Sequence, residues 1–156
     1  MAFTTDYGKA QQGAYVAPEG DYETTIEQAD FDKTSTGKSY IKLMLRIRND
    51  IVQEGQGELI KHALYKRKEP TPNDPEGYGL GQINQLSKVT DIGNGKSFSS
   101  LDEWLHALVG KPLRVTIKHE DFNGSTSAKV SYVYASNFPT VTQGFVAVEP
   151  GDDPFL

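Results

Sequence analysis

The sequence predicts a mainly β domain, a small and partly open Greek-key barrel of five strands with a helical insertion between the third and fourth. Three observations predict it. Short segments with alternating apolar and polar residues lie on both sides of the middle of the chain. Between Gly77 and Gly110 the apolar spacing changes to a helical one. Gly, Pro and Asn-Gly turns punctuate the segments. At 156 residues the chain suits one cored domain with tails: an arm over 1–20, a domain over 21–139 and an acidic tail over 140–156.

The first strand runs from Asp21 to Phe31, with Tyr22, Thr24 and Ile26 on one side. The polar run from Asp32 to Gly37 reverses the chain. Tyr40 to Arg48 is the clearest element, since Ile41, Leu43, Leu45 and Ile47 alternate with Tyr40, Lys42, Met44, Arg46 and Arg48, giving one buried face. Leu59 to Lys68 forms the third strand and stops before Glu69-Pro70-Thr71-Pro72. Leu80, Ile83, Leu86 and Val89 are spaced for a helix. Ser100-Leu101-Asp102-Glu103 is a capping box that starts a second helix, which Gly110 and Pro112 end. Leu113, Val115 and Ile117 alternate in a fourth strand, and Ala128 to Ser136 makes a fifth after the Asn123-Gly124 turn. Three strands, helices, then two strands is the chain order of an oligonucleotide/oligosaccharide-binding (OB) fold.

The chain has no Cys, which excludes a disulfide scaffold, thiolate zinc sites and thiol nucleophiles. Its longest apolar run is far too short for a membrane span, and its start lacks the blocks of a signal peptide; we expect a soluble, cytoplasmic protein. The net charge of −5 hides strong segregation. Residues 1–32 carry seven acids against Lys9, whereas 33–68 carry nine Lys or Arg against Asp50, Glu54 and Glu58. Binding follows the local potential of a face rather than the total charge.

Catalytic signatures fail one by one. Gly37-Lys38-Ser39 and Gly95-Lys96-Ser97 lack the earlier glycine of a phosphate loop, and Gly77-Tyr78-Gly79-Leu80-Gly81-Gln82 lacks the last glycine of a dinucleotide fingerprint. His62, His106 and His119 are too dispersed for a helical metal motif. No G-x-S-x-G elbow or paired carboxylates assign a nucleophile, acid or base. The expectation is a protein without catalytic residues, metal or cofactor.

If the apolar face of the second strand fills the core, its other face displays Tyr40, Lys42, Met44, Arg46 and Arg48. On the third strand Lys61, Tyr65 and Arg67 share one parity and extend that surface. Spaced cations suit a phosphodiester backbone, and rings between them suit unpaired bases, each stack contributing about 1–3 kcal/mol. Tyr132 and Tyr134 on the fifth strand fit either half-buried core positions or a further stacking surface. The end of the chain, Asp152-Asp153-Pro154-Phe155-Leu156, joins acids to two apolar residues and suits docking on a basic-rimmed partner pocket.

Several runs together resemble a known family: Tyr40 to Asp50 ending in Arg48-Asn49-Asp50, then Ile60, His62 and Tyr65 before Lys66-Arg67-Lys68-Glu69, Asn94-Gly95-Lys96 before the capping box, and Val109-Gly110-Lys111. Over Gly13 to Pro139 the chain resembles bacteriophage and prophage OB-fold single-stranded DNA-binding proteins. The resemblance implies a role in phage DNA replication and recombination, in the cytoplasm of a bacterial host, and an aromatic at the position of Tyr65. The tail is similar to the acidic tip with which bacterial and phage single-stranded DNA-binding proteins recruit replication and repair enzymes, although Leu156 follows Phe155 and displaces the terminal carboxylate by one residue. The expected partners are therefore single-stranded DNA, replication or recombination proteins held by Asp152, Asp153, Pro154, Phe155 and Leu156, and further copies of the chain, since one small barrel offers a short groove. The rival reading is a protein adaptor of a replication or recombination complex that touches DNA only incidentally.

Overall fold

A computed structural model describes residues 2–5 and 15–140. Five strands, β1 (Gly20–Lys33), β2 (Ser39–Ile47), β3 (Leu59–Tyr65), β4 (Pro112–Phe122) and β5 (Ser125–Tyr134), form one antiparallel sheet in the order β3-β2-β1-β4-β5. Helices α1 (Leu80–Val89) and α2 (Leu101–Leu108) are inserted between β3 and β4. The strand content and the helical insertion agree with the sequence reading, but the barrel does not. The sheet is open, with β3 and β5 as its two edges. Closure would need a backbone ladder between those edges, and chain order is the same whether or not that ladder forms. Instead α1 sits against both edges, where Gln82, Gln85 and Leu86 line a cleft of about 160 Å³ with His62 and Leu64 of β3 and residues 130–133 of β5.

The inner face of the sheet is continuous. Ile41, Leu43, Leu45 and Ile47 of β2 and Leu113, Val115 and Ile117 of β4 are completely buried beside Ile26 of β1. Ile83 and Leu86 from α1 and Trp104, Leu105 and Leu108 from α2 close over them. Ser100 caps α2 as expected, Glu103 N donating to Ser100 Oγ at 3.2 Å, while the Glu103 carboxylate accepts from the N–H of Ser99 at 3.3 Å, one residue before the cap. Gly110 ends α2 with φ at 86°, a left-handed conformation open to glycine at no steric cost. Its N–H donates to the Ile26 carbonyl at 2.7 Å, and Ile26 N returns a bond to the Lys111 carbonyl, which ties the end of α2 to β1.

Two bulges set the faces. An extra residue at Glu27 interrupts the β1–β2 register between Ile26 and Gln28. A second irregularity, where Thr116 pairs with Tyr132 but Ile117 with Val130, leaves Ser131 as the extra residue of β5.

His62 faces the cleft between the edges, and burial pushes its pKa from 6.5 down to about 4. The unfolded chain therefore takes up a proton near pH 6.5 that the folded chain refuses until about pH 4. The stability tied to His62 is intact above pH 6.5 and is lost as pH falls toward 4. Between pH 7 and pH 5 this amounts to roughly 2 kcal/mol. Urea midpoints at those two pH values are expected to separate less for His62→Leu than for the wild type. An equal separation would assign the acid sensitivity to other groups.

Candidate nucleic-acid interface

The outer face of β2 and β3 brings together five of the residues singled out from the sequence. Tyr40 lies directly opposite Tyr65, Lys42 opposite Ala63, Met44 opposite Lys61 and Arg46 opposite Leu59. Directly opposed residues share a face, so Tyr40, Lys42, Arg46, Lys61 and Tyr65 form one surface. The Tyr40 and Tyr65 rings stack with centroids 5.5 Å apart at 30°, and Lys61 Nζ lies 5.1 Å from the Tyr40 centroid. Tyr40 is buried at 5% exposure, while Tyr65 is 60% exposed. Tyr40 is thus a floor, and Tyr65 a ring held in place with much of its surface open to solvent. Such an aromatic pair contributes about 0.5–1.5 kcal/mol beyond its burial. The Tyr40 hydroxyl is the largest cause holding the Lys61 ammonium above its ordinary pKa.

The cations of this face are largely neutralised by acids that the sequence places far away. Lys42 Nζ lies 3.2 Å from Asp32, and Arg46 donates to both carboxylate oxygens of Glu27 at 2.8 Å and to the Gly57 carbonyl. The Lys33 backbone N–H, then Lys42, hold the Asp32 carboxyl below its usual range. Among the described residues Lys61 makes no ion pair.

Two of the sequence-selected residues stand apart. Arg48 shares the strand parity but lies just past the end of β2 and is 2% exposed, so it is not displayed on the face. Its guanidinium forks onto Asp50 at 2.9 and 2.7 Å and donates to Ser136 Oγ and to the carbonyls of Phe138 and Thr140. Arg67 lies beyond the end of β3, with Nε 3.1 Å from Asp74. The tail residues Asp152, Asp153, Pro154, Phe155 and Leu156 lie outside the described residues.

The organising acids escaped the sequence reading. Asp74 is nearly buried and accepts from the N–H of Thr71 at 2.8 Å and of Leu80 at 3.1 Å, which shapes the turn into α1. The Thr71 bond is the main cause of its lowered pKa. Glu23, 5% exposed, accepts from Ser136 Oγ and from Asn137 N, fixing the segment that follows β5. An isolated acid in a polar run carries no sign of either role. The orientation of Tyr132 and Tyr134 is settled by the β5 bulge: Tyr132 pairs with Thr116 and Tyr134 with Arg114, both on the outer face.

A concavity of about 1150 Å³ between α1, α2 and the loop over 91–99 is lined by none of the candidate DNA-binding residues. Among the described residues no group of three His, Cys, Asp or Glu side chains is arranged to hold a metal ion, and no helix is long and apolar enough to cross a membrane. No curated protein matches the chain. Over residues 3–143, most of its length, it matches the model of the family described as protein of unknown function (DUF669), and it belongs to that family.

Proposed function

We propose that this protein is a non-catalytic single-stranded DNA-binding protein, with the outer face of β2 and β3 as its binding surface. The carrying observation is the stack of Lys61, Tyr40 and Tyr65, a cation and a buried ring supporting an exposed ring. A base laid on Tyr65 extends that stack, and Lys61 meets the adjoining phosphate. Stacking tolerates every base because every base has a π face, which suits binding with little sequence preference. Lys42 and Arg46 contribute to the backbone contact only by exchanging Asp32 and Glu27 for phosphates, so the expected salt dependence is shallow. The resemblance supports a setting in phage DNA replication and recombination, in a bacterial cytoplasm, with the acidic tail recruiting partner enzymes.

Fluorescence anisotropy of labelled oligo-dT tests this reading. Tyr65→Ala is expected to weaken binding about tenfold, within the range for one lost base stack, with the slope of log K against log[salt] unchanged. Tyr65→Phe retains the ring and is expected to bind like the wild type. A wild type that fails to bind, or a folded Tyr65→Ala with undiminished affinity, overturns the proposal. One observation favours the adaptor instead: a face whose arginine and one of whose lysines are already ion-paired suits a protein surface as well as a polyanion. For an adaptor, weak or no oligonucleotide binding is expected, whereas a coat loses about 0.7 in slope for each phosphate contact removed.

A further inference from the structure

A second pair of tyrosines beside a cation lies at the opposite edge of the sheet, tilted and more open than the Tyr40–Tyr65 stack. On β4 and β5 the Tyr132 and Tyr134 rings have centroids 6.3 Å apart, and the Arg114 guanidinium lies 4.6 Å from the centre of Tyr134. Tyr132 is 63% exposed, matching Tyr65, while Tyr134, at 37% exposure, is the more covered ring beside the cation without being buried as Tyr40 is. Arg114 is fixed by Asp21 at 3.0 Å, and its Nε–H has no acceptor among the described residues.

The bulge is what creates this arrangement. In a regular strand Val130, Tyr132 and Tyr134 point the same way. Val130 pairs with Ile117 and is buried, so without the extra Ser131 both tyrosines would turn toward the core. Bulges re-aim side chains and are enriched beside functional sites. Here the bulge leaves a large ring exposed on the outer face, where core packing gives no reason for it. The two edges also share one seam, since β3 and β5 line the same cleft over α1.

We propose that Tyr132, Tyr134 and Arg114 form a second base-stacking station, so that one single-stranded DNA molecule crosses the seam between β5 and β3 and stacks on both Tyr132 and Tyr65. This rests on the single-stranded DNA reading above and extends it to the other end of the sheet. Tyr132 supplies the ring and Arg114 the cation, whose release from Asp21 onto a phosphate replaces one anion by another.

The test compares wild type, Tyr65→Ala, Tyr132→Ala and Tyr132→Phe in binding to labelled dT20. Tyr132→Ala is expected to weaken binding about tenfold, as for loss of one base stack, and Tyr132→Phe to bind like the wild type. A folded Tyr132→Ala that binds within twofold of the wild type, while Tyr65→Ala is impaired, overturns the second station and leaves the first standing. Absence of wild-type binding overturns both. A Tyr132→Trp variant gives an independent readout: quenching of its emission by saturating dT20 is expected, and unchanged emission with bound dT20 overturns the station.

Discussion

Arg48→Ala is expected to lower the stability of the domain by about 3–5 kcal/mol, the usual cost of removing one partner from a buried ion pair. The side chains of Arg48 and Asp50 are 1% and 5% exposed. Alanine leaves the Asp50 carboxylate without its guanidinium and removes the donor shared by Ser136 and the carbonyls of Phe138 and Thr140. Glu23 then holds Ser136 and Asn137 on its own. For a domain stable by about 5–15 kcal/mol this is a large share. The check is a urea titration, in which the midpoint falls while the slope, set by the surface exposed on unfolding, stays constant. Arg48→Lys is expected to recover only part of the loss, because a single ammonium cannot fork onto a carboxylate and reach three further acceptors. Limited proteolysis supplies a second readout, with faster cleavage within 136–140. A midpoint within experimental scatter of the wild type would mean that the cluster contributes no net stability. The position is structural, so Arg48→Ala reports on folding and not on DNA contact.

How much of this was legible beforehand depends on the range of the interaction. The alternation from Tyr40 to Ile47 and the helix starts at Leu80 and Ser100 are local patterns, and the strand and helices appear where they predict. Barrel closure is not local: it turns on whether β3 and β5 exchange backbone hydrogen bonds, and chain order is silent on that. The charge pattern misled for a related reason. Acids crowd the first 32 residues and bases the next stretch, which reads as separated blocks. In the sheet β1 lies between β2 and β4, so Asp32 and Glu27 meet Lys42 and Arg46 on one side and Asp21 meets Arg114 on the other. Blocks separated in sequence become pairs in space. Arg48 follows the parity of a displayed residue, but β2 ends one position earlier and the chain folds over it. In β5 a single extra residue defeats parity altogether, and nothing in Val130-Ser131-Tyr132 announces it.

The helical insertion matters to the interface because α1 underlies the seam, and Trp104 of α2 ties α2 to α1. Its ring is 2% exposed, and its Nε1–H donates to Ser87 Oγ at 2.8 Å, while that hydroxyl donates to the Ile83 carbonyl within α1. Trp104→Ala opens a large cavity beneath the helices and is expected to cost about 3–5 kcal/mol. Trp104→Phe retains most of the ring volume and loses the N–H. Its cost is expected to be smaller, about 1 kcal/mol for the hydrogen bond plus the packing lost with the smaller ring. Because Ser87 is the acceptor, Ser87→Ala combined with Trp104→Phe is expected to cost less than the sum of the two single changes, the signature of directly interacting partners. Far-UV circular dichroism melts measure all four, since Trp104 is the sole tryptophan and its own emission is lost on substitution. Hydrogen exchange then separates global from local effects. Residues 80–89 are expected to lose protection in Trp104→Ala more than β1 does, because α1 has lost its anchor while β1 keeps its ladders to β2 and β4. A loosened α1 no longer fixes β3 against β5, so oligo-dT affinity should fall in Trp104→Ala at temperatures where the sheet is still folded. Unchanged protection over 80–89, with a stability loss below about 1 kcal/mol, would show that α1 is held by the sheet alone and that the seam does not depend on Trp104.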